Sequence, residues 1–548
     1  MWLGEPAAKG GGTFFWGLGP SGGLGRQGIT MRSVRMRILV TLLVLAVVAV
    51  GGWQLLPSRD SGGGETITVG TTDTVTSLDP AGAYDAGSWA LFSNVFQSLL
   101  TYEPGGVSPV PDAAESCSFA GGSLLTYTCE LRDDLTFDSG AEVTAEDVKY
   151  SFDRVKRINS DVGPASLFST LKSVDAKGLK VTFHLSSPDA TFPFKVATGA
   201  GSIVDHTRYP ADGLRVGSGV DGTGPYRLTR YSKGKKVLLS PNPRYQGAVS
   251  TGAPVELRYY PDPEALDKAW KAKEIKAATR QLPPSVLAAL DTSDPEQRVY
   301  EADGSETRNL YFDTRSGSPL HATEVRRAMA WLIDREQLAA SVYDGTVEPL
   351  YSLIPTGITG HTTSFFDSYP DRDATKARKL LEAAGVGIPV KFTYGYGVGS
   401  GAAAAEAKEL KRQLEASGLF RVDVKGYEWT DFQKRWATGK LDAYAVGWVA
   451  DYPDPDTFAG PLVGTGSTMN TGFSDKAVDK YIAGSRQFAD RSRAAGDFRD
   501  LQQVVAREVP VVPLWQRKEY IVTSADIGGG QFLADGNGVF RLWKLDWI

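Results

Sequence analysis

The stretch Leu441-Asp-Ala-Tyr-Ala-Val-Gly-Trp448-Val-Ala-Asp451-Tyr452-Pro-Asp454-Pro-Asp456 decides how this chain is read. A mainly apolar run ends in a turn of aromatic, acidic and proline residues. The run predicts a buried strand over Ala443–Trp448. Pro453 and Pro455 fix φ and remove two N–H donors, so the chain must turn there. Asp451 then lies just past a buried strand, flanked by Trp448 and Tyr452. A carboxylate so placed is partly desolvated, and a cationic ligand group gains a charge-assisted hydrogen bond from it. The alternative is that Asp451 only caps the turn.

Working outward, strand-like and helix-like segments interleave. Strands are predicted at Thr66–Val69, Lys180–Leu185, Lys235–Ser240, Val255–Tyr260, Arg308–Phe312, Val390–Tyr394, Val422–Tyr427, Val511–Trp515 and Tyr520–Val522. Apolar residues at helical spacing predict a helix over Ala90–Leu100. Thr144-Ala-Glu-Asp147 opens another as a capping box before Val148, Phe152 and Val155. Val325, Ala328, Met329 and Leu332 form a further apolar stripe. Asp334 with Gln337 caps the next helix, and Gly385 stops the one carrying Ala377 and Leu381. Such alternation points to α/β or α+β layers.

With 548 residues, roughly three to four domains are expected at 100–200 residues each. The net charge is −5 and charged residues make up 22%. A nucleic-acid footprint needs a basic excess that is missing here. Four His and two Cys, with only the Cys close in sequence, argue against clustered zinc sites and Cys–His nucleophiles. No metal or other cofactor is expected. GxGxxG and GxSxG matches at Gly17–Gly22 and Gly19–Gly23 fall in a Gly-rich leader without strand or helix context, so neither counts. Acidic pairs such as Glu146/Asp147 and Asp371/Asp373 fall at helix starts, where orphan N–H groups explain them.

Residues 1–30 form that leader, and Met31 or Met36 reads as the better translation start. Basic Arg32, Arg35 and Arg37 precede an apolar run over 38–56, the pattern of a signal peptide or membrane anchor spanning 31–57. No clear cleavage site follows, which favours an anchor holding the rest outside the cytoplasmic membrane. Residues 58–64 read as a flexible linker. Export suits a disulfide between Cys117 and Cys129, which sit on two strand-like runs around Gly121-Gly122.

Six ordered blocks carry a resemblance. They are Ser77–Pro80; Leu131–Gly140 with Thr144–Phe152; Gly222–Tyr226 with Asn242–Tyr245; Val325–Ala330 with Ile333–Arg335; Gly447–Pro455; and Val509–Leu514. From about residue 65 onward the chain resembles the family 5 extracellular solute-binding proteins of ABC importers, the oligopeptide and dipeptide binders. The resemblance implies a two-lobed, periplasmic-binding-protein-like α/β clamp with an extra α+β domain. Lobe I would comprise 65–107, 215–306 and 515–548, the extra domain 108–214, and lobe II 307–514. It implies a binding protein, not an enzyme, that closes on a peptide and delivers it to a permease driven by an ATPase. A monomer is expected. Asp451 would hold the ligand's α-ammonium, and Trp429, 19 residues before Trp448, would line the pocket. The family's carboxylate-binding arginines fall at Trp436 and Ala445, which cannot serve, leaving Arg412 or Arg435 as stand-ins. An oligosaccharide, an opine-like or other cationic metabolite, or a sensor role remain the alternatives.

Overall fold

The computed structural model describes residues 64–247, 252–279, 282–399, 401–533, 536 and 538–548. The leader, the signal or anchor segment and the linker up to residue 63 lie outside them. Among the described residues no helix is long and apolar enough to cross a membrane.

One sheet runs through the molecule. Among the described residues it has eleven strands, in the order Phe420–Tyr427, Val390–Gly397, Ala443–Trp448, Gln297–Phe312, Val511–Ser524, Ala277–Thr279, Ile67–Thr71, Val255–Tyr259, Lys236–Pro241 and Tyr226–Ser232. Val347–Pro349 pairs with Val511–Ser524 off this path. The two longest strands, Gln297–Phe312 and Val511–Ser524, pair antiparallel in the middle, with a register shift between Asp303 and Thr307. Their ends serve different cores. Leu310, Tyr311 and Phe312 join a large cluster with Val511, Val512, Leu514 and the helices between residues 320 and 509. Ile521 joins a second cluster around Ile67, Val69, Leu91, Val255 and Leu542.

The sequence reading took these strands as short pieces, because their middles are polar. The stretch Glu301–Thr307, with Asp303, Gly304, Ser305 and Glu306, runs opposite Gln516–Tyr520. Ladder hydrogen bonds and the pairs Glu306–Arg517 (2.7 Å) and Glu301–Lys518 (2.8 Å) carry the strands across a gap between cores. A Cβ on Gly304 would lie 2.6 Å from the Arg517 carbonyl, so the bulge needs glycine.

A four-stranded antiparallel sheet, in the order Ala114–Phe119, Thr126–Leu131, Lys180–Leu185, Leu171–Lys177, forms a third core. The helix Ala145–Ile158 lays Val148, Phe152 and Val155 into that core. Its capping box forms as expected, Thr144 accepting from the Asp147 N–H and Asp147 from the Thr144 N–H. Cys117 lies opposite Cys129 in the hairpin and the two form the expected disulfide. The helix expected over 90–100 instead spans Ala86–Val95, because Asp85 caps it by accepting from the Ser88 N–H. Gly222 and Gly224 lie against the Val95 backbone and close its end.

Candidate functional site

The strand Ala443–Trp448 forms as expected and pairs with Gln297–Phe312, Trp448 opposite Thr307. The chain then turns through Asp451–Pro455 into the helix Asp456–Val463. This turn brings three acids together, and their partners differ. Asp454 is held by Arg491 at 2.6 and 2.9 Å. Asp456 is held by Arg486 at 2.8 and 3.0 Å. Asp451 meets hydroxyls only: Tyr84 donates to its Oδ2 at 2.7 Å and Thr457 at 3.0 Å. The Asp451 N–H in turn donates to Thr457 Oγ1 at 3.1 Å. Among the described residues no Lys or Arg forms an ion pair with Asp451.

The electrostatics follow from these partners. Burial pushes the Asp451 carboxyl up to about 7, against the pull of the two hydroxyl donors and of more distant Lys195. Burial acts most strongly on Asp456 too, but Arg486 and Lys195 together outweigh it and hold that carboxyl below its usual range. Burial, reinforced by Asp451, pushes the Tyr84 phenol well above its ordinary value, so Tyr84 stays a donor.

Aromatic rings frame the carboxylate. Tyr84 stacks on Trp89 with ring centres 5.3 Å apart and meets Trp448 edge-on at 6.3 Å. Trp448 Nε1 is buried with no acceptor. Asp451 opens on two cavities. One, of about 50 Å³, extends past Trp89, Phe92 and Phe96 to Asp112. The other, of about 60 Å³, reaches Ser305 and Glu519 on the two long strands. Among the described residues no Lys or Arg lines either.

Of the residues singled out in the sequence, Asp451 and Trp448 are brought together with Tyr84. Tyr452 turns the other way: its ring is buried in the third core, 6.1 Å from Phe194, and its hydroxyl donates to Asp456 at 3.1 Å. Trp429 stands at the start of the helix Trp429–Ala437, packs on Phe432 and Trp436, and lines neither cavity. Arg412 and Arg435 are engaged at the surface with Glu409 and Asp431. Sequence reasoning missed Tyr84, Trp89, Thr457 and Asp112. Thr457 lies six positions after Asp451, in the first turn of the helix Asp456–Val463 that follows the proline turn. Tyr84 is 367 positions away, and no local pattern links it.

Among the described residues one group could offer three metal ligands, Asp147, Asp205 and His206. Asp147 is already consumed by the helix cap and by the His206 N–H and ring, which explains the group without an ion.

Residues 108–470 match the bacterial extracellular solute-binding proteins, family 5, in their middle region. The chain belongs to this family, whose members are binding proteins and not enzymes. It is 26% identical to di/tripeptide-binding protein 2 of Pseudomonas aeruginosa, over 93% of this chain and 99% of that one. Its fold matches that of the Helicobacter pylori periplasmic binding protein DppA in complex with the peptide STSA. The TM-score is 0.78 at 21% identity, covering 88% of this chain and 98% of that one. It also matches AgaA of A. tumefaciens R10 in complex with agropinic acid, with a TM-score of 0.77 at 19% identity, covering 88% and 96%. The fold is thus the two-lobed α/β architecture of periplasmic binding proteins.

Proposed function

We propose that this protein captures peptides outside the cytoplasm by their α-ammonium and hands them to the permease of an ABC importer. The observation that carries this reading is Asp451. It is the one acid of its turn without an arginine, it is held by hydroxyls, and it opens on cavities with no basic lining. An ammonium there supplies the missing counter-charge in a low-dielectric seam. Tyr84 and Thr457 fix the carboxylate before the ligand arrives, and the Trp448 ring that meets Tyr84 edge-on has an indole N–H without an acceptor. The remaining pieces of the reading are the lobe limits at 65–107, 215–306 and 515–548 against 307–514, the extra domain at 108–214, and a tether at 38–56. Three of the buried cores fall near those limits. Ligand closes the clamp because it meets both lobes only in the closed state.

The small size of the cavities favours a second reading, a compact cationic metabolite in place of a peptide; a protein of the same fold is solved with agropinic acid. Calorimetric titration with a dipeptide and its N-acetylated form tests the first reading. Loss of binding on acetylation supports it, and equal affinity rejects it. Native mass spectrometry of the purified protein identifies a metabolite if one is carried.

A further inference from the structure

One of the cavities lined by Asp451 is lined by a second carboxylate as well. Asp112 follows the short strand Val110–Pro111 and lines the same cavity. Gln97 holds it from outside, its Nε2 donating to Asp112 Oδ1 at 2.8 Å. Gln97 is itself 3% exposed, and its Oε1 is buried without a donor. Arg132, whose charge is felt at Asp112, has its guanidinium taken by Asp134 at 2.8 and 3.1 Å. Burial pushes the Asp112 carboxyl up to about 6 against Gln97 and Arg132, as expected of an acid with no close counter-ion. Trp89, Phe92 and Phe96 line the same cavity as the two carboxylates. Such walls accept methylenes and, at an indole ring, a cation over its face.

Size agrees with this chemistry. A void needs roughly 10–15 Å³ to hold one water, so a cavity of about 50 Å³ accommodates on the order of four or five non-hydrogen atoms. That is the size of an aminobutyl chain.

We propose that this cavity selects ligands with two cationic groups, namely peptides whose first residue has a basic side chain, with Asp112 receiving the second charge. The inference rests on Asp451 holding the α-ammonium and adds a specificity-determining residue to it.

The test compares lysyl-alanine with norleucyl-alanine, which has the same chain without the ammonium, by calorimetry at pH 7. The lysyl peptide should bind at least tenfold more tightly. In Asp112→Asn the gap should shrink to within twofold while norleucyl-alanine binds as before, which also shows that the variant is folded. Equal affinities for the parent, or a gap that survives in Asp112→Asn, overturn the proposal. A gap that vanishes in Glu519→Gln and not in Asp112→Asn overturns it too, by moving the second charge to the other cavity. If neither dipeptide binds, the peptide reading has failed, and 1,5-diaminopentane probes the two-carboxylate cavity alone. Protection from thermal unfolding that is lost in Asp112→Asn sustains the cavity's selectivity, and no protection rejects it.

Discussion

The Tyr84 hydroxyl donates to Asp451 Oδ2 at 2.7 Å, joining two parts of the chain 367 positions apart. The bond ties the turn after the strand Ala443–Trp448 to the segment before the helix Ala86–Val95. The carboxylate is thus held in place yet keeps no cationic partner, and its behaviour with pH should report on its role.

With the Asp451 carboxyl at about 7 in the free protein, half of it carries a proton at neutrality. An ammonium needs the anion, so binding must release that proton. Affinity for a free-amine dipeptide should fall about fivefold from pH 7 to 6 and roughly tenfold more by pH 5. Calorimetry in buffers of different ionisation enthalpy would show the proton leaving. A dissociation constant that stays flat over this range removes Asp451 from the binding step.

Asp451→Asn should weaken a free-amine dipeptide by about 2–4 kcal/mol, because the ammonium loses its counter-charge. Stability should move the other way. A carboxyl raised in the folded state costs stability as pH climbs from the unfolded value toward about 7, and the cost then stays constant. The asparagine variant escapes it, so urea unfolding at pH 8 should find the variant the more stable of the two. A variant that binds dipeptide like the parent would make Asp451 a turn residue alone.

Tyr84→Phe removes a donor that pulls the Asp451 carboxyl down, so that carboxyl should rise further. The pH midpoint of binding should shift upward, with affinity lost at pH 7 and largely recovered at pH 8. The bond itself is worth about 1–2 kcal/mol. A purely structural Tyr84 would lower affinity equally at both pH values.

Much of this was readable beforehand, where local chemistry decides structure. The strand Ala443–Trp448, the Thr144–Asp147 cap, the Gly385 stop and the Cys117–Cys129 hairpin each depend on residues within a dozen positions. The continuity of Gln297–Phe312 and Val511–Ser524 was hidden because their polar middles bury little and show no alternation. The side-chain directions after the strand were hidden too. Tyr452 and Asp451 are neighbours, yet one ring enters the core of another part of the chain and the other side chain faces a cavity. Only the packing of Phe194 and Tyr84 decides which. Asp112 carried no signal at all, since its role depends on sharing a cavity with a residue far along the chain.

Arg486 links that turn to the third core. It grips Asp456 with two bonds, and its carbonyl accepts from the Ala190 N–H at 2.8 Å. Arg486→Met leaves a buried carboxylate without its partner and should cost about 3–5 kcal/mol at pH 7. Because Asp456 is held below its usual range, the stability it contributes is present above the unfolded value and is lost as pH falls through the folded one. The gap between parent and variant should therefore narrow below about pH 4. Urea unfolding at pH 7 and 3.5 measures both, and an unchanged gap would mean that Arg486 acts by packing rather than charge.

The disulfide should matter to stability and not to ligand. Cys117 and Cys129 are separated by 12 positions, and a loop of that length contributes about 2–3 kcal/mol on the chain-entropy account. Cys129 is fully buried in the third core, so alanine, which adds no polar atom, is the clean replacement. The hairpin keeps its ladder and the Phe119–Tyr127 ring contact at 4.8 Å, so Cys117→Ala/Cys129→Ala should fold with a lowered melting temperature. Neither cavity beside Asp451 is lined by this hairpin, so dipeptide affinity should be unchanged. Thermal unfolding with and without dithiothreitol should bring the parent down to the variant's value and leave the variant unmoved. A parent indifferent to reductant under unfolding conditions would show that the crosslink does not hold the hairpin.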